Sequence, residues 1–249
     1  MDWGSLTGLL LGLAAIALGQ WIEGGQIGSL FQPAALVIVL GGTLGAVMLQ
    51  SGLQSLLRGL RMLSLAFTPA SDFHAALLDT IQTWSMTARI EGFLQLERFI
   101  DAHPDPFIAK GLRMVVDGVD RDTMQEILNI EIYSYERDQR HAIKVWEAAG
   151  GYAPTIGILG AVLGLIRVME NLADPALLGS GIAVAFVATI YGVGLANLIC
   201  LPIANKIKQH VRHEVLKREM LAQAFVSISH GENLKLIRER LSSHWQQEA

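Results

Sequence analysis

Four stretches of this chain are nearly free of charged side chains and approach the length of a membrane-spanning helix. They are residues 4–21, 33–49, 152–168 and 181–203. The hydrocarbon core of a bilayer is about 30 Å thick, and a helix needs about 20 apolar residues to cross it. The pattern therefore predicts four membrane spans. No basic segment precedes the first stretch, so we expect a retained span and not a signal peptide.

Between the second and third spans the pattern changes to that of amphipathic helices. Apolar residues recur at spacings of three and four from Phe73 to Ala88. This periodicity predicts a helix that starts near Ser71 or Asp72. Gly92 is expected to loosen the helix beyond Ala88, because glycine lowers helix stability.

The rest of this middle segment also has helical patterns separated by turn signals. A helical stretch at 94–100 is followed by the turn sequence HPDP at 103–106. Asp120 or Asp122 can cap a long helix that runs to about Ala149 and can continue into the third span. With no strand pattern or internal repeat along the chain, the pattern predicts an all-α fold.

The distribution of basic residues predicts which side of the membrane each segment faces. Ten of the 19 Lys and Arg residues lie in 51–150 and eight lie in 205–249, whereas the connectors 22–32 and 169–180 have none. Cytoplasmic segments carry an excess of Lys and Arg. Both termini and the loop 51–150 are therefore predicted to be cytoplasmic.

These predictions divide the chain into four segments. They are a hairpin of two spans at 1–50, a cytoplasmic helical domain at 51–150, a second hairpin at 151–204 and a helical tail at 205–249. The fold class is that of a polytopic membrane protein with four transmembrane helices and a helical cytoplasmic domain between spans two and three.

Composition agrees with a membrane protein and narrows the function classes. Hydrophobic residues make up 51% of the chain, charged residues make up 17%, and the mean hydropathy is +0.39. A soluble domain needs more charge than this on its surface. The net charge of -4 lacks the basic excess of a nucleic-acid-binding protein. The single cysteine, Cys200, cannot form an intrachain disulfide.

Enzyme motifs are not present in the sequence. The glycines of 157–164 lack the Gly-Lys-Ser/Thr ending of a phosphate-binding loop, and neither GxSxG nor HExxH occurs. His210, His213 and Glu214 lie on a charged tail, where solvated side chains are the simpler interpretation. We expect no catalytic residue, no metal site and no cofactor.

Small residues form one face on each of the last two spans. On the third span they are Gly157, Gly160, Ala161 and Gly164, and on the fourth they are Ala185, Thr189 and Gly192. Such spacing allows close helix packing, and it equally allows a slot for another helix. None of the four spans carries Asp, Glu, Lys or His at depth. If the protein conducts ions, a partner must therefore supply the carboxylate.

Five motifs, in this order and with this topology, resemble the MotA-type subunit of the bacterial flagellar stator. They are ARIEGFLQLE at 88–97, MVVDG at 114–118, GGYAPTIGILGAVLGLI at 150–166, AFVATIYG at 185–192 and LPIANKIK at 201–208. The resemblance covers essentially the whole chain. It implies a subunit in the bacterial inner membrane that couples inward ion flow to torque on the rotor.

The resemblance also implies partners. In this family several copies, described as five, surround a dimer of a MotB-type protein. That partner has one span with an essential Asp and an outer domain that grips peptidoglycan. The rotor switch-complex protein FliG is the implied torque acceptor.

Residue roles follow from the same motifs. Arg89 and Glu97 match the family's rotor-interacting charges. Pro154 and Pro202 match its two functional prolines, which we interpret as a hinge at the cytoplasmic mouth. The small faces described above, together with Thr155, would line the ion path or the slot for the partner helix.

Helix geometry limits how three of these residues can act. On one continuous helix, Arg89 and Glu97 would be about 12 Å apart along the axis and could not pair with each other. Pro154 is compatible with the first turn of a helix.

The coupling ion is predicted to be the proton. Sodium-driven relatives have Thr at the positions of Ala161 and Ala188 as well as at Thr189, whereas this chain keeps only Thr189. A metal cation needs several oxygen ligands, but a proton needs only a carboxylate and a path of water.

Three other classes of membrane protein remain as alternatives to a stator subunit. An energiser of the ExbB or TolQ type also surrounds an Asp-bearing partner, but it has three spans. A structural scaffold would use the same packing faces without needing that Asp. A secondary transporter would need its own polar site within the membrane.

Overall fold

The computed structural model describes residues 2–69, 73–233 and 235–240, apart from the side chains of 175–177. Regular structure in this part of the chain is helical, without a strand, which confirms the all-α prediction. The main helices are α1 (Trp3–Ile22), α2 (Pro33–Arg61), α3 (His74–Ile90), α4 (Glu97–Ile100), α5 (Pro106–Val116), α6 (Arg121–Glu170), α7 (Pro175–Gly194) and α8 (Leu201–Ser229). The predicted start of α3 near Ser71 or Asp72 lies outside the described residues.

Four helical stretches are long and apolar enough to cross a membrane. They are Trp3–Ile22, Ile27–Phe67, Arg121–Glu170 and Leu178–Ser229. The prediction of four spans is therefore confirmed by length and composition. The chain forms two compact units, which are Met1–Pro69 with Arg140–Gln209 and Ala70–Gln139 with His210–Ala249. The predicted boundaries at 50, 150 and 204 concern the side of the membrane and stay predictions.

In the first unit, α2 buries one face. Pro33 occupies its first turn, where the missing N–H of proline is harmless. Ala35, Val39, Thr43 and Val47 are buried at a spacing of four residues, which keeps them on one side of a helix. The first two pack against Val187 and Ala188 of α7.

α2 bends after this buried face. Gly52 has φ +73° and ψ 161° inside the helix, a backbone conformation that only glycine adopts without strain. Beyond the bend, Gly59 lies so close to α6 that an added Cβ would be 3.1 Å from the Ala142 carbonyl oxygen. The Trp146 Nε1–H donates to the Gly59 carbonyl at 2.9 Å. These contacts fix α6 against the end of α2.

α6 is one helix of 50 residues with Pro154 in its interior. Asp120 lies just before it and accepts bonds from the Thr123 hydroxyl at 2.8 Å and the Thr123 N–H at 3.1 Å. The hydroxyl bond is the main reason that the pKa of Asp120 is lowered. The helix therefore runs directly into the third span, as predicted. The alternative in which Pro154 lies in the first turn of a helix is wrong, because the helix already extends from Arg121.

The fourth span is interrupted by a π-helical segment at Leu195–Cys200 between α7 and α8. The Leu201 N–H bonds to the Ala196 carbonyl, five residues back, instead of the four of an α-helix. Pro202 follows directly and has no N–H to donate. A π-turn next to a proline is a recognised cause of helix bending.

The second unit has its own apolar core. The predicted stripe of α3 is buried at Leu77, Ile81, Trp84 and Ala88, which confirms the helical periodicity from the sequence. The Trp84 ring stacks on Phe225 of α8 with centroids 5.8 Å apart. Core residues from α5 and α6 complete this cluster, among them Phe107, Leu112, Met124 and Leu128.

Tyr191 connects the fourth span to the start of α2. Its hydroxyl donates to the Leu30 carbonyl and accepts from the Gln32 N–H at 3.3 Å. We expect Tyr191→Phe to cost about 1–3 kcal/mol, because both backbone groups lose their partner. The thermal unfolding midpoint of the detergent-solubilised protein should fall. Tyr152→Phe is the matched control, and equal midpoints for the two variants would contradict the role of Tyr191.

Candidate functional site

The small faces of the third and fourth spans pack against each other within one subunit. A Cβ added to Gly192 would lie 2.5 Å from the Ala153 carbonyl oxygen, and one added to Gly157 would lie 2.8 Å from the Ala188 carbonyl oxygen. Real Cβ atoms do not approach backbone this closely, so only glycine fits. The helices approach at backbone contact, as small residues allow.

The same close approach continues along the two helices. A Cβ on Gly164 would lie 2.7 Å from the Ala185 backbone nitrogen, and one on Gly160 would lie 2.9 Å from the Ala188 Cβ. We refer to Gly157, Gly160, Gly164, Ala185 and Gly192 as the α6–α7 seam. Packing within the subunit accounts for the small size of these residues. Their role in lining a slot for a partner stays a prediction.

Ala161 and Thr189 lie at one edge of the seam. Ala161 follows Gly157 by four residues and Thr189 follows Ala185 by four, so each is about 40° around its helix from the packed face. Since α6 and α7 run antiparallel, this shared offset brings both side chains to the same edge. Both remain partly exposed, and the Thr189 hydroxyl donates to the Ala185 carbonyl at 3.3 Å. This edge is therefore accessible to another chain.

The other predicted lining residues differ in accessibility. Thr155 is exposed and lies on the side of α6 opposite the seam, since it precedes Gly157 by two residues. Its hydroxyl donates to the Tyr152 carbonyl at 2.8 Å. Ala188 is fully buried. Of the three positions considered for the coupling ion, only Ala161 and Thr189 are therefore reachable in the subunit.

The two prolines lie near the place where the seam ends. A Cβ on Gly150 would be 2.6 Å from the Leu201 Cδ2, so the turn of α6 before Pro154 packs beside the residue before Pro202. The π-helical segment precedes Pro202 directly. Sequence reasoning placed the prolines near one level but did not predict the π-turn. The only sign of this π-turn in the sequence is Pro202, which has no backbone N–H to donate and lies inside an apolar run.

Sequence reasoning also missed a polar side chain within the fourth span. Asn197 lies in the π-helical segment, is exposed, and donates from Nδ2 to the Val193 carbonyl at 3.0 Å. It lines a cavity of about 440 Å³ that is also bordered by Gly8 of α1 and Lys206 of α8. An asparagine in an otherwise apolar run was the available signal.

Asp2 joins the start of α1 to α8. Its carboxylate accepts from the Lys206 Nζ at 2.7 Å, the Ser5 hydroxyl at 2.7 Å and the Gly4 N–H at 3.0 Å. The Asp2 N–H donates to the Phe67 carbonyl at 2.7 Å. The Lys206 bond, followed by the Ser5 bond, holds the pKa of Asp2 well below its usual range. α1 buries no residue of its own, so this contact is important for its position.

In the second unit, Arg89 and Glu97 lie on either side of a tight turn. The turn interrupts the helix at Gly92, which has φ +95°, so the predicted loosening at Gly92 is confirmed and the distance expected for one continuous helix between the two charges does not apply. A 3₁₀ turn at Phe93–Leu96 leads into α4, which starts at Glu97. Both charged side chains are exposed, and neither has an ionic partner in the part of the chain that the structure describes.

Arg98 bridges this turn. Its Nη1 lies 3.1 Å from the Glu91 carboxylate, and its Nη2 donates to the Thr87 hydroxyl at 3.3 Å. The guanidinium also lies over the Phe99 ring at 5.0 Å, a favourable cation–π arrangement. The turn that separates Arg89 from Glu97 is thus held by side-chain contacts on both sides.

Two family models match the chain and together span most of it. The model described as motility protein A N-terminal matches residues 6–90, and that of the MotA/TolQ/ExbB proton channel family matches residues 100–220. Motility protein A of Bacillus subtilis (strain 168) is 32% identical over 242 residues, covering 97% of this chain and 90% of that protein. The chain belongs to the motility protein A family.

Solved structures agree with membership in the motility protein A family. The flagellar MotAB stator complex of Bacillus subtilis contains a chain with a TM-score of 0.86 and 32% identity, covering 95% of this chain and 93% of that one. A C. jejuni MotAB chain shares the fold with a TM-score of 0.92 at 24% identity, covering 98% and 96%. Chemotaxis protein PomA of Vibrio alginolyticus is 29% identical over 98% of this chain and 95% of its own length.

The contact between the Asp2 carboxylate, at the start of α1, and Lys206 is expected to depend on pH in this member of the motility protein A family. The pKa of folded Asp2 is lowered, whereas an unfolded Asp titrates near pH 4, at about 3.9. The contact therefore contributes stability above this pH and loses it as the pH falls. Melting midpoints measured from pH 7 to pH 3 should show a difference between wild type and Asp2→Asn that shrinks below about pH 4. A difference independent of pH would contradict this account.

Groups of three or more potential metal ligands do not occur among the described residues. His210 has other interactions within the chain. At the seam edge, Thr189 supplies a hydroxyl and Ala161 supplies no polar side-chain group.

Proposed function

We propose that this chain is a subunit of a flagellar stator that couples ion flow across the membrane to torque on the rotor. The observation that carries the proposal is the match, along nearly the whole chain, to proteins named motility protein A. The channel-family model is shared with TolQ and ExbB, but the match to the motility protein A N-terminal model at 6–90 favours the stator over an ExbB-like energiser.

Ion transfer in this proposal depends on a carboxylate from a MotB-type partner. The membrane stretches 4–21, 33–49, 152–168 and 181–203 contain no Asp or Glu. A protonatable group within the membrane is costly and is kept where function requires it. The edge formed by Ala161 and Thr189 is where we place the partner helix. With one hydroxyl at this edge the coupled ion is the proton, and five copies of the chain would surround the partner.

The free energy released by one ion crossing the membrane is large enough to break and remake a few surface ion pairs. One elementary charge crossing about 100 mV releases about 2.3 kcal/mol, whereas an exposed ion pair contributes about 0–1 kcal/mol. Transfer of one ion can therefore break and remake several such pairs. Arg89 and Glu97, without ionic partners in the described chain, are the side chains that we assign to contact with FliG.

The seam gives the moving part its stiffness in this mechanism. Because α6 and α7 are in backbone contact, they move as one body. Bending is concentrated where the helix is weakest, at the π-helical segment with Pro202 and at Pro154 beside it. We propose this region as the hinge at the cytoplasmic mouth, with both termini and the loop 51–150 in the cytoplasm of a bacterial cell.

Rotation of tethered cells tests the proposal. A flagellated host without its own stators would express this chain with its single-span partner in sodium-free medium. Rotation is expected, and replacing the partner's essential Asp by Asn should stop it without removing either protein from the membrane. Rotation only in sodium would refute proton coupling. Absence of rotation in both media would refute the stator assignment.

Charge reversal tests the rotor contact. Arg89→Glu and Glu97→Lys should each reduce stall torque several-fold, because each places like charges opposite a complementary surface. Arg113→Glu on α5 is the matched control, since Arg113 is also an exposed arginine of the second unit. Torque equal to that of the control would remove Arg89 and Glu97 from the rotor contact.

A further inference from the structure

Large apolar side chains are exposed on the outward side of α3 and on the turn that follows it. The exposed fractions are 77% for Ile90, 70% for Leu94, 46% for Met86 and 39% for Phe93. We call these four residues the turn patch. It belongs to the second unit and not to the membrane stretches, so lipid does not explain its exposure. Met86 and Ile90 are one helical turn apart on α3, and Phe93 and Leu94 directly follow Gly92 in the turn. Exposed apolar patches mark interaction sites in soluble domains.

The turn patch cannot turn inward within the subunit. The opposite side of the same helix is fixed in the core by Trp84 and Ala88, which are 1% and 7% exposed, and Leu96 of the turn is fully buried. Rotating α3 to cover Ile90 would expose Trp84. The outward position of Ile90 is therefore a consequence of the packed face.

The turn patch is also held in a defined shape. Arg98 bridges the turn through Glu91 and Thr87, and the 3₁₀ turn packs against α3 and α5. Phe93 and Leu94 are thus fixed before any partner arrives. A preorganised surface loses less conformational entropy on binding.

Charges of opposite sign flank the turn patch. Arg89 lies nearly one helical turn after Met86 on α3 and directly before Ile90, and Glu97 follows Leu94 by three residues. Neither charge has an ionic partner within the described chain. An apolar centre with charged groups at its rim is the usual anatomy of a protein–protein interface.

We propose that the turn patch is the apolar centre of the rotor contact, and that Arg89 and Glu97 form its rim. The matching surface is a protein ridge with an exposed apolar side chain between an acidic group facing Arg89 and a basic group facing Glu97. This inference rests on the proposed stator function and names the chemistry of that contact. Apolar burial at the centre supplies affinity, while the rim charges supply orientation.

Binding of the complete stator complex, in lipid nanodiscs, to immobilised FliG tests this inference. Ile90→Ser should weaken binding about tenfold, or about 1.4 kcal/mol, and Leu94→Ser should have a similar effect. Ile130→Ser is the matched control, because Ile130 is 61% exposed on α6 in the same unit. It should bind like wild type.

The salt dependence of binding distinguishes the contribution of the apolar centre from that of the charged rim. Between about 0.1 M and about 1 M salt the screening length falls from about 10 Å to about 3 Å. The loss caused by Arg89→Glu should therefore shrink at high salt. The loss caused by Ile90→Ser should persist, because apolar burial is not screened.

The outcomes distinguish this inference from the proposed function. If Ile90→Ser and Leu94→Ser bind like Ile130→Ser while Arg89→Glu weakens binding, the apolar centre is refuted and the stator assignment stands. If the patch variants change the number of subunits in the complex, measured by mass photometry, the patch lies between copies of this chain and the inference is again refuted. If wild type does not bind and does not rotate tethered cells, the proposed function itself fails.

Discussion

Replacing Gly192 by leucine is expected to abolish rotation of tethered cells and to reduce the amount of folded protein in the membrane. The new Cβ would lie 2.5 Å from the Ala153 carbonyl oxygen and 3.0 Å from the Gly157 Cα. Both neighbours are backbone atoms, so relief requires α6 and α7 to separate along the whole seam. Overpacking of this kind costs about 1–3 kcal/mol or more, and separation also removes the contacts at Gly164 and Ala185.

Gly194→Leu is the matched control for this prediction. Gly194 lies two residues further along the same span, and an added Cβ there would meet no atom within 4 Å beyond its chain neighbours and the adjacent backbone of its own helix. Membrane level and melting midpoint, measured on the purified protein, should stay close to wild type. Equal losses in the two variants would show that the seam is not specially sensitive. They would also weaken the proposal that the two helices move as one body.

Gly111→Leu is expected to destabilise the second unit by about 3 kcal/mol, the upper end of the usual cost of overpacking. A Cβ on Gly111 would lie 2.1 Å from the Phe225 ring. That ring cannot move away, because it is fully buried and stacks on the buried indole of Trp84. Amide hydrogen exchange of α5 and of the α8 segment around Phe225 should become faster. Torque should fall with it, since Arg89 and Glu97 are positioned by this core.

Ala109→Val provides the comparison for Gly111 on the same helix. Ala109 is only partly buried, so extra volume there should have little effect on exchange rates. Faster exchange in both variants would point to a general sensitivity of α5 to larger side chains. Faster exchange in neither would mean that the core repacks around Phe225 without cost.

The role of the small residues in the third span cannot be assigned from the sequence alone. Gly157, Gly160 and Gly164 form a regular small face that the sequence alone could assign either to helix packing or to a partner slot. The close backbone approach to Ala185 and Gly192 accounts for the face by packing within one subunit. The partner's place is then proposed at the edge marked by Thr189.

Several features of this protein follow from the sequence by itself. Four apolar stretches predict four spans because a bilayer imposes a fixed length on a helix. The spacing of apolar residues on α3 predicts its buried face, since that periodicity follows from 3.6 residues per turn. Missing carboxylates in the spans predict dependence on a partner for ion transfer. These properties arise from local geometry and composition, which are readable from one chain.

Other features were decided only by the tertiary structure. The sequence left open whether Pro154 starts a helix or lies inside α6, and it did not reveal that a π-turn forms before Pro202, because both depend on packing energies that outweigh local propensity. The contact between Asp2 and Lys206 joins residues that are far apart in the chain, so no spacing rule could predict it. The sequence predicts a weakened helix at Gly92, but the 3₁₀ turn that follows, with Leu96 buried, is visible only in the structure.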